Sequence, residues 1–498
     1  MSVAPIGFEG QLIEVESDAT KGLPNFRIVG LANKAIDEAR ERVRSAITNS
    51  LLDFPAKHIT INLAPAELPK DGAHYDVPIA LATIISGGQL LQSEVNGSVF
   101  AGELALDGSV RPVSGIITIA ETARNNGYQT LYLPQANVPQ ALLIEGITII
   151  GVTSLKDLFL HLKGESVLTP ASKSAQDIPT STVDRSRLVL IDDITGQEQA
   201  KRALVVAAAG RHSVLFNGPP GAGKTMLARA LTSLLPSLSA EECLAVTKIY
   251  SLAGELVDEA HYQRPFRSPH HTASRTALIG GGTKPKPGEV SLAHLGVLFL
   301  DEIPEYPRAS LEALRQPLED RTVSITRASG RATYPADFML VATMNPCPCG
   351  HYGDSARQCT CTSSQILNYQ QRLSGPLIDR IDMKLSVRRV PNAELMNSSS
   401  SSSVQHFDAS LAIKNALQRQ QDRYGKSTKY NSNLSNSELK KYASHTTEAK
   451  QMLITAAEKL GLSARATFKT LKVARTIADI ADSDEVTVEH IAEALQYR

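Results

Sequence analysis

GPPGAGKT, Gly218 to Thr225, follows the apolar run SVLFN (Ser213 to Asn217) and precedes MLARAL (Met226 to Leu231). That order predicts a strand, a loop and a helix, and the loop's composition says what it holds. Gly218, Gly221 and Gly223 let the backbone turn tightly enough for several N–H groups to face a triphosphate, and the helix start adds a favourable dipole. Pro219, Pro220 and Ala222 complete the loop. Lys224 is placed to reach the outer phosphates and Thr225 to ligate magnesium, so ATP and Mg2+ are the expected ligands.

Downstream, GVLFL (Gly296 to Leu300) is a short apolar run that ends in Asp301 and Glu302. A buried parallel strand has this composition, and an α/β sheet places its ligands at the C-terminal ends of such strands. Asp301 would hold the magnesium shell and Glu302 would polarise the attacking water. Two carboxylates at an ordinary strand end are the alternative. A second buried-strand candidate, FMLVA (Phe338 to Ala342), runs on to Asn345. That amide can bond both water and terminal phosphate, or it can cap the turn before Pro346.

The 498 residues suffice for about three domains, each with its own core. Basic and acidic residues number 51 each, so no overall field advertises nucleic acid and any such contact must come from local patches. The opening MSVAPIGFEGQLIEVESD lacks the basic start and apolar core of a signal peptide, and the apolar runs are too short for a bilayer span. A cytoplasmic protein without a membrane partner is expected. In a reducing compartment the cluster Cys347, Cys349, Cys359 and Cys361 favours metal over disulfides. Four thiolates suit a closed structural Zn2+ site, with His351 in reserve and free thiols as the alternative. The C-x-C spacing is tighter than the commoner C-x-x-C.

Residues 1–165 read as a mixed α/β domain, with strands at Gln11 to Val15 and His58 to Asn62, a helix over Lys34 to Asn49 and an apolar stretch Val77 to Ser86. DEARERVR, Asp37 to Arg44, alternates in sign and is expected to be a solvated helix face. LPKDGAHYDVPIALA (Leu68 to Ala82) and AGELALDGSVRPVSGI (Ala101 to Ile116) resemble the ribosomal-S5-type fold shared with the proteolytic domain of Lon proteases. The resemblance implies a catalytically inactive copy. His74 stands in the place of the nucleophilic serine and Ile117 in that of its lysine, so neither hydroxyl nor base is present. Residues 166–186, rich in Ser, Thr, Pro, Asp and Lys, read as a linker.

An α/β core over 187–396, a Ser-rich connector at 397–406 and helices over 407–498 complete a P-loop ATPase with a C-terminal helical lid. The inactive N-domain, DDITGQ (Asp192 to Gln197), RSPHHTASRTALIGGGTKPKPGE (Arg267 to Glu289), the cysteine insert at 347–361, SGPLIDRID (Ser374 to Asp382) and RATFKTLKVARTIADIA (Arg465 to Ala481) together resemble the YifB/ComM group of magnesium-chelatase-like AAA+ ATPases. The resemblance covers nearly the whole chain. It implies that Asp192 to Gln197 packs on adenine and that Asn345 is a first sensor. It also implies that Arg380, with Arg372 a weaker candidate, acts on a neighbour's nucleotide, and that Arg465 touches the phosphates of its own subunit.

The resemblance further implies a homo-hexameric DNA helicase acting on branched or forked DNA, promoting branch migration in recombination and natural transformation, with no porphyrin chemistry. Arg264, Arg267, Lys284 and Lys286 lie in Gly- and Pro-rich loops, and Arg327 and Arg331 flank the tip of a hairpin over Glu319 to Tyr334. These cations could track phosphates in a pore; a solvated loop and a surface hairpin are the alternatives. A remodelling ATPase that binds protein through the S5-like domain stays open as a function. A chelatase motor subunit is disfavoured by the N-domain and the cysteine insert.

Overall fold

Alternation of buried and half-buried residues builds the first sheet. In the strand His58–Ala64, Ile59, Ile61 and Leu63 point to one side and are fully buried. The computed structural model describes the chain apart from residues 30–33, 69, 71, 173–188, 256–262, 283–285, 328–329, 355–356, 392–403 and 427. Strands β1 (Ser2–Ile6), β2 (Glu9–Thr20), β3 (Asn25–Val29) and β4 (His58–Ala64) lie in the order β1-β2-β4-β3. Helices α1 (Lys34–Asn49) and α2 (Asp76–Ser86) cover this sheet through Val43, Ile47, Ile79 and Ile84. A second, parallel sheet of β5 (Ser98–Phe100), β6 (Thr130–Pro134) and β7 (Thr148–Val152) packs against α3 (Ile116–Asn125).

The solvated face expected for Asp37 to Arg44 is only partly solvated. Glu38, Arg40, Glu41 and Arg44 are exposed, but Arg42 turns inward and its guanidinium grips the buried carboxylate of Asp76 at 2.9 and 3.2 Å. Sign alternation along a helix does not reveal a buried counter-charge on another element. The expected linker falls largely outside the described residues. Its first part belongs to the N-domain, where Leu168 N–H donates to His161 Nδ1 and Ala171 N–H to the Ile149 carbonyl.

The ATPase core is a five-stranded parallel sheet. α4 (Glu198–Gly210) precedes β8 (Val214–Asn217), which leads through the glycine loop to α5 (Lys224–Leu234). After α6 (Ala240–Ala253) come β9 (Phe266–Arg267), β10 (Val297–Leu300) and α7 (Arg315–Asp320). The hairpin β11 (Thr322–Arg327) and β12 (Gly330–Pro335), then β13 (Met339–Met344) and β14 (Met383–Ser386), complete the core. The sheet runs β9-β10-β13-β8-β14. Its apolar strands are buried, as a sheet clad on both faces requires.

The lid consists of α8 (Val404–Tyr424), the short helix Asn436–Tyr442, α9 (Thr447–Leu460), α10 (Ala464–Ile480) and α11 (Val488–Leu495). The first helix starts inside the segment expected to be a connector; the rest of that connector, 397–403, lies outside the described residues. Ser463 caps α10 by accepting the Ala466 N–H, and Val473, Ala474, Ile477 and Ala478 join the same core as α4.

Asp382 locks lid to sheet. It accepts the Ser213 N–H at 3.1 Å, lies 3.5 Å from His212 Nδ1 and pairs at 2.6 Å with Lys469 of α10. Burial alone would raise its pKa, but the Lys469 ammonium above all, with the neighbouring His212 ring, holds it well below the usual carboxylate range. Asp382→Ala strands Lys469 in the interior and is expected to destabilise the protein by about 3–5 kcal/mol, measured by urea unfolding of the full chain.

Candidate nucleotide site

Three strand ends meet at the C-terminal edge of the sheet. β8 delivers Asn217 and the loop, β10 delivers Asp301 and Glu302, and β13 between them delivers Asn345. Leu300 is in register with Ala342, which puts Asp301 beside Thr343. The Thr343 hydroxyl donates to Asp301 Oδ1 at 2.5 Å and accepts the Glu302 N–H at 2.9 Å. Glu302 itself sits at φ 50°, a left-handed conformation that a non-glycine residue holds only when its surroundings impose it.

Lys224, the first residue of α5, bends back over the loop. Its Nζ donates to the carbonyls of Gly218 (2.5 Å) and Pro219 (3.1 Å) and to Asn345 Oδ1 (2.9 Å), while Asn345 Nδ2 lies 3.4 Å from Glu302 Oε1. Burial lowers the Lys224 pKa against the upward pull of Asp301 and Glu302. Gly221 and Gly223 have φ of 76° and 81°, and nothing stands within 4 Å of where a Cβ would be, so the loop's flank is open. Gln197 ties the loop from behind by donating to the Ala222 and Arg388 carbonyls. Amine, hydroxyl, amide and two carboxylates thus converge on an open glycine loop, a donor set that fits ATP, and Thr225 and Asp301 are the residues that would hold its magnesium.

The two arginines expected at phosphates, Arg465 at those of its own subunit and Arg380 at a neighbour's, both stand away from the loop of this chain. Arg380 Nη2 binds Glu319 at 2.6 Å, and Arg465 binds the other oxygen of the same carboxylate. Both line a cavity of about 750 Å3 with Arg211, Arg321, Lys469 and Lys472. Ser213, Phe338 and Asp382 also line it, and each immediately precedes its strand, so this is the N-terminal edge of the sheet. A four-residue strand spans roughly 13 Å, which separates these arginines from Lys224 of the same chain. Arg465 is therefore placed away from the phosphate loop of its own chain. Arg372 pairs with Glu305 at 2.9 Å.

Comparison with known families covers most of the molecule. Residues 190–395 match the family described as magnesium chelatase, subunit ChlI; residues 15–137 match subunit ChlI of Mg-chelatase; residues 403–498 match the ChlI C-terminal family. The Escherichia coli protein YifB, itself uncharacterized, is 43% identical over 99% of this chain and 96% of its own length. Competence protein ComM of Haemophilus influenzae is 42% identical over 100% of this chain and 96% of its own. The chain belongs to the YifB/ComM group of magnesium-chelatase-like AAA+ proteins. Lon protease of Mycolicibacterium smegmatis is 24% identical over 31% of the chain. The fold is accordingly an AAA+ core with a helical lid behind a Lon-like α/β domain. No described helix is long and apolar enough to cross a membrane.

In this member of the YifB/ComM group the cysteine insert abuts the phosphate loop: a Cβ on Gly350 would stand 2.5 Å from Pro220 Cδ. Cys347, Cys349 and Cys359 place their sulfurs 3.4 to 3.7 Å apart, and all four ligand atoms lie within 4.8 Å of one another. Sulfurs about 2.3 Å from a tetrahedral zinc are about 3.8 Å apart, so the cluster could close around that ion. Backbone N–H groups of His351 and Thr360 pull the Cys349 thiol down, while hydrogen bonds to Cys349 and Cys347 push the Cys359 and Cys361 thiols up, as expected of four sulfurs crowded together. His351 turns to Asp354 instead.

Two of the cations expected in inserted loops are structural. Arg264 is buried on Glu242 at 3.0 Å and donates to the Pro236 and Leu295 carbonyls, and Arg267 forms a two-pronged pair with Glu289 at 2.7 and 2.8 Å. Lys286, in the small ribbon Gly280–Gly281 with Lys286–Pro287, reaches the Ala253 carbonyl, and Arg331 is exposed on β12. Lys284 and the Arg327 side chain lie outside the described residues. The N-domain docks against these elements. Phe8 N–H donates to the Thr333 carbonyl, Lys248 pairs with Glu121, and a 660 Å3 cleft opens between His74, Glu103 and Arg331.

Thr343, absent from the sequence-based set of site residues, is the buried bridge between the Asp301 carboxylate and the Glu302 backbone. Thr343→Val keeps its shape, and steady-state ATPase assays are expected to show a loss of about 10- to 100-fold. Cys359→Ser should abolish a single bound metal per chain in elemental analysis and raise the KM for ATP several-fold, because Pro220 loses its support.

Proposed function

We propose that the protein is an ATP-driven ring motor that moves branched DNA, and that its nucleotide is hydrolysed between two subunits. The observation carrying this reading is the placement of Arg380 and Arg465 at the sheet edge opposite their own phosphate loop. Lys224, Thr225, Asp301, Glu302 and Asn345 make one half of a site, and the two arginines belong to the half presented to a neighbour. A head-to-tail contact of this kind repeats from subunit to subunit and closes into a ring, with a homo-hexamer as the expected form.

Magnesium, when held by Thr225 and Asp301, would neutralise phosphate charge. Glu302 polarises the attacking water and Asn345 orients it, while Lys224 exchanges its loop carbonyls for phosphate oxygens. Arg380 and Arg465 meet the charge that develops on the neighbour's terminal phosphoryl group. Arg465 thus moves from the role within its own subunit expected from sequence to one shared with Arg380. Arg331 and Lys286 carry the DNA contacts, and Lys284 and Arg327 are further candidates from the sequence. The competence name of a relative matched over 96% of its length supports DNA handling in natural transformation. The cleft between the S5-like domain and the hairpin supports the second reading, remodelling of a protein substrate.

ATPase rate is the test. Forked DNA is expected to raise it several-fold, and Arg331→Ala should lower the log–log salt slope of DNA binding by about 1. Stimulation by an unfolded protein alone would favour remodelling instead.

A further inference from the structure

Glu319 is the acceptor that Arg380 and Arg465 share. One arginine comes from the turn before β14 and the other from the first turn of α10, and each takes a different carboxylate oxygen. Two guanidiniums around one anion reproduce the way arginines bind phosphate. Both hold Glu319 ionised, its pKa below the ordinary value despite a desolvation penalty that pushes it up. The arrangement leaves donors unspent, since Arg380 Nε is buried with no partner among the described residues.

Glu319 belongs to α7, and the chain passes from its end at Asp320 through Arg321 into β11, the first strand of the hairpin. Arg321 N–H donates to the Pro317 carbonyl of α7 at 2.9 Å, and the Arg321 carbonyl accepts the Ala336 N–H at 2.8 Å, so helix and hairpin base are one hydrogen-bonded unit.

We propose that Glu319 is a positioning residue that occupies the two arginines in place of the neighbour's phosphates and releases them when a triphosphate arrives. This rests on the reading that these arginines serve the adjacent subunit. A triphosphate offers more charge and more acceptor oxygens than one carboxylate, so it wins both guanidiniums. Glu319 then loses its two tethers, and α7 with the attached base of the hairpin is free to shift. The nucleotide state of one subunit is thereby read by the DNA-contacting hairpin of the next, through one carboxylate.

The experiment compares full-length wild type with Glu319→Gln, Glu319→Asp and Arg380→Ala, measuring KM and kcat for ATP with and without forked DNA. Glu319→Gln keeps shape and removes charge. Its KM for ATP is expected to fall about threefold, because the arginines no longer have to leave a carboxylate, and stimulation by DNA is expected to disappear. Glu319→Asp, which keeps the charge, should recover part of both. Wild-type KM and stimulation in Glu319→Gln would overturn the proposal, as would a loss of kcat and melting temperature with KM unchanged, which marks a merely structural contact. Arg380→Ala separates the two levels. If it hydrolyses ATP at the wild-type rate, the reading beneath falls; if it is inactive while Glu319→Gln matches wild type, only the proposal about Glu319 falls.

Discussion

A parallel strand carries its two ends apart, and everything in this molecule follows from what is hung on each. The C-terminal ends of β8, β10 and β13 gather Lys224, Asp301, Glu302 and Asn345. The N-terminal ends gather Arg380, Arg465 and their carboxylate. Strands of four residues keep the groups roughly 13 Å apart, a gap that no rotamer change in an arginine closes. Completing the site within one chain would require the lid to leave the sheet, and the buried Asp382–Lys469 pair with the apolar face of α10 holds it there.

The same economy of rigid contacts explains the surroundings. Thr343 ties the Asp301 carboxylate to the Glu302 backbone because register, not loop flexibility, brings it beside Asp301. The cysteine insert bears on Pro220, so an ion held within it would stiffen the loop that would wrap the phosphates. The Lon-like domain is fastened to α6 through Lys248 and Glu121 and to β12 through Phe8. Ile117 is buried and offers no amine, and the neighbouring Gly115 N–H donates to the Ser251 hydroxyl of the ATPase core.

Much of this was legible in the residues. The glycine loop, the two apolar strands ending in Asp301 and Asn345, and the helices of the lid each carry a local signature, and each element lies within a few residues of its expected place. What escaped was decided by partners distant in sequence. Arg42 was read as solvated because Asp76 lies on another helix, and Arg264 as a free cation because Glu242 precedes it by a whole helix. The edge at which Arg465 arrives is likewise hidden, because a motif names a residue's chemistry and not its place on the sheet. Thr343 offers no motif at all; only pairing β10 with β13 in register could have singled it out.

The claim that hydrolysis takes place between subunits is tested most directly by mixing two inactive variants. Lys224→Ala lacks the half-site at the C-terminal edge and Arg380→Ala lacks the half at the N-terminal edge. Neither should hydrolyse ATP alone. In a randomly mixed ring, roughly a quarter of the junctions pair an intact loop with an intact arginine, and activity should return in proportion. An inert mixture in which ring assembly is intact, or an Arg380→Ala protein active by itself, would contradict the account.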